Sequence, residues 1–167
     1  MRIFKLLIVS LVAVAFFSCE PTYVKEYSWA YPIAGDWKLR AYNDGVEVDW
    51  YDGPFEIKVY NSSYGKDSIW IDDYGTKVTK NSAGQVTSGD GHFWTMKFKV
   101  AADMATKTFK SDSSTNVIPN YGIGVKVTNG KVIGTDSITM DVEFGDDPGT
   151  IYQLSGHRIV KYDEYMQ

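Results

Sequence analysis

Residues 136–144 read DSITMDVEF, with Ile138, Met140, Val142 and Phe144 alternating against Ser137, Thr139, Asp141 and Glu143. Successive side chains of a strand point to opposite faces, so this pattern describes one strand with an apolar face in a core and a polar face in water. The same period recurs along most of the chain. In DWKLRAY, residues 36–42, Trp37, Leu39 and Ala41 fall together. Phe55, Ile57 and Val59 do so in FEIKVY (55–60), and Trp94, Met96, Phe98 and Val100 in FWTMKFKV (93–100). Shorter runs follow the rule at residues 68–72, 106–110, 122–128 and 131–134. In TIYQLSGHRIV (150–160) one face carries Tyr152, Leu154, Gly156, Arg158 and Val160, and the other Ile151, Gln153, Ser155, His157 and Ile159.

Turn residues separate these runs: NDG at 43–45, DGP at 52–54, NSAG at 81–84 and SGDG at 88–91. TNGK at 128–131 is the strongest hairpin signal, since Asn129-Gly130 suits the two positive φ values of a type I′ turn. AADMAT (101–106) is the one candidate for a short helix, and KSDSSTNVIPN (110–120), polar and poor in apolar residues, reads as a flexible loop. The expectation is an all-β, antiparallel, up-and-down β-barrel of about eight to ten strands, each lining a single interior. Aromatic residues, 15% of the chain, supply much of its core area.

The first residues stand outside this fold. Arg2 and Lys5 precede an apolar run from Leu6 to Phe17, with Ser18 before the only cysteine, Cys19. This is the layout of a secretory signal peptide over residues 1–18, and the run is too short to span a bilayer comfortably. FFSC resembles a bacterial lipobox, apart from Phe16 where an aliphatic is usual, and this implies acylation of Cys19. Residues 19–33, with two prolines and no periodicity, read as a lipid-anchored tether whose aromatics fit packing along the barrel wall equally well, and residues 34–167 as the barrel domain. The formal charge of −4 falls to about −6 once Arg2 and Lys5 are removed, which argues against nucleic acid as a partner.

AGDWKL (34–39), FWTMKFKV (93–100) and DDPGTIYQLSGHR (146–158) resemble a family of lipoproteins from Bacteroides-type bacteria described as lipid-binding putative hydrolases. That resemblance implies a lipocalin-like, calycin-type barrel. Gly35-Asp36-Trp37 is similar to the G-x-W of lipocalin first strands, which implies that Arg158, near the last strand, lies across Trp37 and closes the barrel. A guanidinium over an indole face contributes ~0.5–2 kcal/mol. Without the resemblance, Trp37 as a plain core aromatic and Arg158 as a solvated charge fit equally well.

Asp147, Ser155 and His157 are the residue types of a hydrolase triad. If Arg158 faces inward, however, Ser155 and His157 face out, onto a wall without a pocket. No G-x-S-x-G elbow occurs in the chain. DDPGT reads as a turn before it reads as a cation loop. Asp72 and Asp73 are adjacent and so point to opposite faces, and His92 and His157 are the only histidines, so no metal or other cofactor is expected. The expected interior lining is Leu39, Phe55, Ile57, Val59, Ile69, Ile71, Trp94, Met96, Phe98, Ile138, Met140, Val142 and Leu154. The resulting expectation is a monomeric outer-membrane lipoprotein binding a small hydrophobic molecule or lipid and attached to the membrane through Cys19. With Glu20 the one acidic residue soon after Cys19, the periplasmic side is favoured. A hydrolase acting on an ester or lipid, and a non-catalytic envelope scaffold, remain the alternatives.

Overall fold

The computed structural model describes residues 27–48, 54–63, 65–73, 79–80, 86–88 and 96–159. Its strands are β1 (Gly35–Asn43), β2 (Val46–Glu47), β3 (Phe55–Asn61), β4 (Ser68–Asp72), β5 (Thr79–Lys80), β6 (Val86–Ser88), β7 (Lys97–Asp103), β8 (Thr108–Thr115), β9 (Gly124–Ile133), β10 (Ser137–Phe144) and β11 (Tyr152–Arg158). Among the described residues there is no helix. The main sheet runs β11-β10-β9-β8-β7-β4-β3-β1-β2, and β11 also pairs with β1. That last pairing closes eight antiparallel strands into an up-and-down barrel. β2 continues the sheet beyond β1, and β5 and β6 form a separate pair.

The two-residue period becomes burial directly. Along β10 the inward Ile138, Met140, Val142 and Phe144 are buried and the residues between them are partly exposed. Trp37, Leu39, Ile69, Ile71, Met96, Phe98, Met140 and Leu154 have no accessible surface. Full burial of such a side chain contributes ~1.5–3 kcal/mol, so this layer supplies the main driving force for closure. β11 approaches β1 closely because residue 156 is glycine: a Cβ there would lie 1.9 Å from the Lys38 carbonyl oxygen.

Four sequence-based expectations are corrected. Asn129 and Gly130 make no hairpin but lie inside β9, where Thr139 pairs with Lys131 and Asp141 with Thr128. Two residues thus stand opposite Met140 alone, forming a β-bulge that takes the left-handed backbone of Asn129 (φ 53°). Gly130 is held there by Phe109, whose ring would be 2.5 Å from an added Cβ. Residues 110–115 are not a loop but the larger part of β8; register shifts between Phe109 and Ser114 break the alternation that would have marked it. Within 101–106, Ala101–Asp103 belong to β7 and the rest to a turn in which the Asp103 carboxylate accepts from the amides of Ala105 and Thr106. Finally, residues 29–33, assigned to the tether, form a turn with Ala30 and Ile33 fully buried in the core. Their apolar side chains cover one end of the barrel, and the domain therefore starts before Ala34.

Candidate functional site

Closure at that end is organised by β1 and β11. Trp37 and Arg158 are register partners, and the Arg158 guanidinium lies 4.2 Å from the centroid of the Trp37 ring. The indole Nε1 donates to the Ile33 carbonyl at 3.1 Å. Arg158 Nε donates to Thr135 O at 2.9 Å, while its terminal nitrogens donate to the carbonyls of Ala34 and Pro32. One side chain thus ties β1, the β9–β10 turn and the end-covering turn together. Gly35 is required beside it, because a Cβ at that position would fall 2.4 Å from the guanidinium and the backbone φ is 150°.

Beside Arg158 the covering turn does not reach the β9–β10 turn, and a cleft of about 710 Å³ remains. Its apolar walls are Tyr31, Pro32, Ala34 and Ile159, with Gly35 and Thr135 between them. Lys107, Arg158, Asp36 and Asp136 complete the lining, two charges of each sign. Lys107 Nζ donates to Gly134 O at 2.6 Å and so holds the β7–β8 turn against the β9–β10 turn. A second depression, about 640 Å³, crosses β7, β8 and β9 between Ala101, Phe109 and Gly130.

The positions expected to line an internal pocket are core positions here. Leu39, Ile69, Ile71, Met96, Phe98, Met140, Val142 and Leu154 are 0% exposed, and Phe55, Ile57, Val59 and Ile138 are at most 2%. Side chains with no accessible surface border no void that a water could enter, so among the described residues they pack on one another. Trp94 lies outside the described residues, as do His92, Cys19, residues 1–18 and most of 19–33.

Ser155 and His157 stand on the outer wall. Ser155 is opposite Arg40 and Thr139, and His157, exposed, is opposite Lys38 and Ser137. Asp147 sits at the other end of β11, where its carboxylate accepts from the hydroxyls of Tyr152 (2.6 Å) and Thr150 (2.9 Å). At ~3.3 Å per residue along the strand it is on the order of 15 Å from His157, so no triad is assembled. DDPGT is a turn, as its sequence indicates, and among the described residues no group of three His, Cys, Asp or Glu could hold a metal.

That far end carries paired tyrosines and carboxylates. Tyr121 donates to Asp146 at 2.7 Å, and both Tyr121 and Tyr152 are pushed up to about 12, by burial first and then by their Asp partners. On the outer wall, Asp72 accepts from Tyr60 (2.7 Å) and Lys97 (2.8 Å), and Lys97 and Lys99 lie within 6 Å of the Trp70 ring. The bond from Asp72, then that from Tyr60, raises Lys97 well above the usual lysine range.

The cleft residues were missed from sequence. Tyr31, Lys107, Thr135, Asp136 and Ile159 come from four separate turns and strand ends, and only the position of Arg158 one residue before Ile159 pointed to the place.

A family profile described as "lipid-binding putative hydrolase" matches residues 22–163. No curated protein matches the chain. Four solved chains match, among them a de novo designed fluorescence-activating β-barrel. It is 15% identical, covers 80% of this chain and 100% of its own, and superposes with a TM-score of 0.36, a likeness too weak to bear on function.

Proposed function

The chain belongs to the lipid-binding putative hydrolase family, and from that premise we propose that it is a lipid-anchored barrel binding a small hydrophobic molecule or lipid in the cleft beside Arg158. The observation that carries this reading is a cleft of about 710 Å³ with Tyr31, Pro32, Ala34 and Ile159 as walls, at the end covered by the turn of residues 29–33. Small-molecule sites are typically ~300–1,000 Å³, mostly apolar, with a few polar groups that orient the ligand. The charges of Lys107 and Arg158 are matched by Asp36 and Asp136, so net charge does not select an anion. The apolar walls carry the affinity. A ten-carbon chain gains up to about 8 kcal/mol from its methylenes, equivalent to about 1 μM before ordering costs, which weaken binding further.

Acylation of Cys19 and residence on the periplasmic side of the outer membrane belong to the same proposal, supported by the layout of residues 2–19 and, for the side, by Glu20 as the one acidic residue soon after Cys19. Binding is preferred to hydrolysis because Ser155 and His157 stand on the outer wall and the Asp147 carboxylate is engaged at the opposite end. Titration of the mature protein with a polyene fatty acid whose fluorescence rises on binding tests the reading. Saturable binding that Ile159→Asp weakens at least tenfold supports it; equal affinity in that variant removes the cleft from consideration.

A further inference from the structure

We propose that the Arg158 end of the barrel is its membrane-facing end, docked on the bilayer surface through Tyr27, Tyr31 and Ile133, so that the cleft opens toward the lipid from which it is filled. The inference rests on the anchored reading of Cys19 and adds an orientation to it. Its first support is connectivity. The described chain begins at Tyr27, and the covering turn that follows lies on this end, where Ser28 Oγ donates to Asn61 at the end of β3. Eight steps of chain join Cys19 to Tyr27, a reach of at most about 28 Å.

The second support is what the end exposes. Tyr27, Tyr31 and Ile133 are 51%, 53% and 54% exposed, and the two tyrosine rings lie 4.0 Å apart between centroids. Tyrosine places an apolar ring and a polar hydroxyl at the level of lipid headgroups, which is where such residues concentrate. Tyr31 also walls the cleft, so the docking surface and the binding site are continuous. Charge adds little, because Lys107, Lys131 and Arg158 around this end are offset in number by Asp36, Asp103 and Asp136. Docking is therefore carried by aromatic and apolar groups and needs no anionic lipid. The competing orientation uses the far end, where Val46, Val117 and Ile151 are at least half exposed. Among the described residues these are aliphatic, the hydroxyls of Tyr121 and Tyr152 at that end are engaged by Asp146 and Asp147, and the described chain does not enter there.

The experiment uses the acylated protein in vesicles of equal parts phosphatidylcholine and phosphatidylethanolamine, where acylation consumes the native thiol. A single cysteine is introduced as Tyr27→Cys, Ile133→Cys, Val46→Cys or Ile151→Cys and labelled with an environment-sensitive fluorophore, and spin-labelled lipid is the quencher. Quenching at positions 27 and 133 at least twice that at 46 and 151, unchanged by high salt, is the expected result. Equal or reversed quenching overturns the orientation, as does an unacylated Cys19 in the mass of the N-terminal peptide. Fatty-acid titration of the same variants reads the cleft independently: binding that persists without the quenching pattern rejects the orientation and leaves the ligand site standing.

Discussion

The Arg158 guanidinium lies over Trp37, 4.2 Å from its ring centroid, and from there donates to three carbonyls in two separate segments. The cation–π contact is worth ~0.5–2 kcal/mol and bonds from a charged donor ~1.5–3 kcal/mol each at most, with some returned by water at this half-buried site. Arg158→Ala is expected to lower stability by about 2–4 kcal/mol in urea unfolding, as a shift of midpoint with little change of slope. Arg158→Lys restores less than half of the loss, since an ammonium cannot serve three carbonyls in a plane. A loss below about 1 kcal/mol in the alanine variant would show that closure does not depend on this residue.

The closeness of β11 and β1 makes a paired prediction. At Gly156 an added methyl meets the Lys38 carbonyl oxygen at 1.9 Å, whereas at Gly124 nothing lies within 4 Å. Gly156→Ala is expected to cost about 3 kcal/mol, the upper part of the overpacking range, as two backbones must separate. Gly124→Ala is expected to stay within ~0.5 kcal/mol or to stabilise slightly through the unfolded chain. Similar thermal midpoints for the two variants would contradict the register.

How much of this was legible in the sequence depended on how local the cause was. Alternation gave the faces of 36–42, 55–60, 136–144 and 150–160, and strand parity alone placed Ser155 outside if Arg158 turned in. Asn129-Gly130 misled because the left-handed backbone that suits a type I′ turn equally suits a bulge. What decides between them is the Phe109 ring on Gly130, contributed by a neighbouring strand. Strand β8 was hidden by the bulges that spoil its period. The cleft was invisible for the same reason, since its walls at Tyr31, Lys107, Asp136 and Ile159 meet only when the barrel closes.

Alkaline titration tests the far end. Tyr121 and Tyr152 are pushed up to about 12, by burial and then by Asp146 and Asp147, from an ordinary value near 10. The folded state therefore holds these protons more tightly than the unfolded state. The resulting stability is complete below pH 10 and is lost as pH rises from about 10 through 12. Phenolate absorption should show Tyr121 and Tyr152 titrating late, with Tyr60 also raised by burial, and Asp147→Asn should move Tyr152 back toward 10. An unchanged late component in that variant would break the assignment.

Two ion pairs separate burial from mere proximity. Asp72, 7% exposed at its side chain, accepts from both Lys97 and Tyr60, whereas Arg40 and Glu47 are 47% and 38% exposed. Asp72→Ala is expected to cost about 1–3 kcal/mol and Glu47→Ala no more than ~0.5 kcal/mol in the same unfolding assay. Equal effects would mean that the Asp72 network contributes only as a surface pair.

Ligand held beside Arg158 leaves the packed barrel interior undisturbed. This placement is tested most directly by backbone amide chemical shifts of the mature protein as a ten-carbon fatty acid is added. Saturable shifts are expected at Ala34, Gly35, Asp136 and Ile159, with Leu39, Met140 and Leu154 unmoved. Shifts concentrated at those interior residues, with the cleft silent, would contradict the placement and return the ligand to the core.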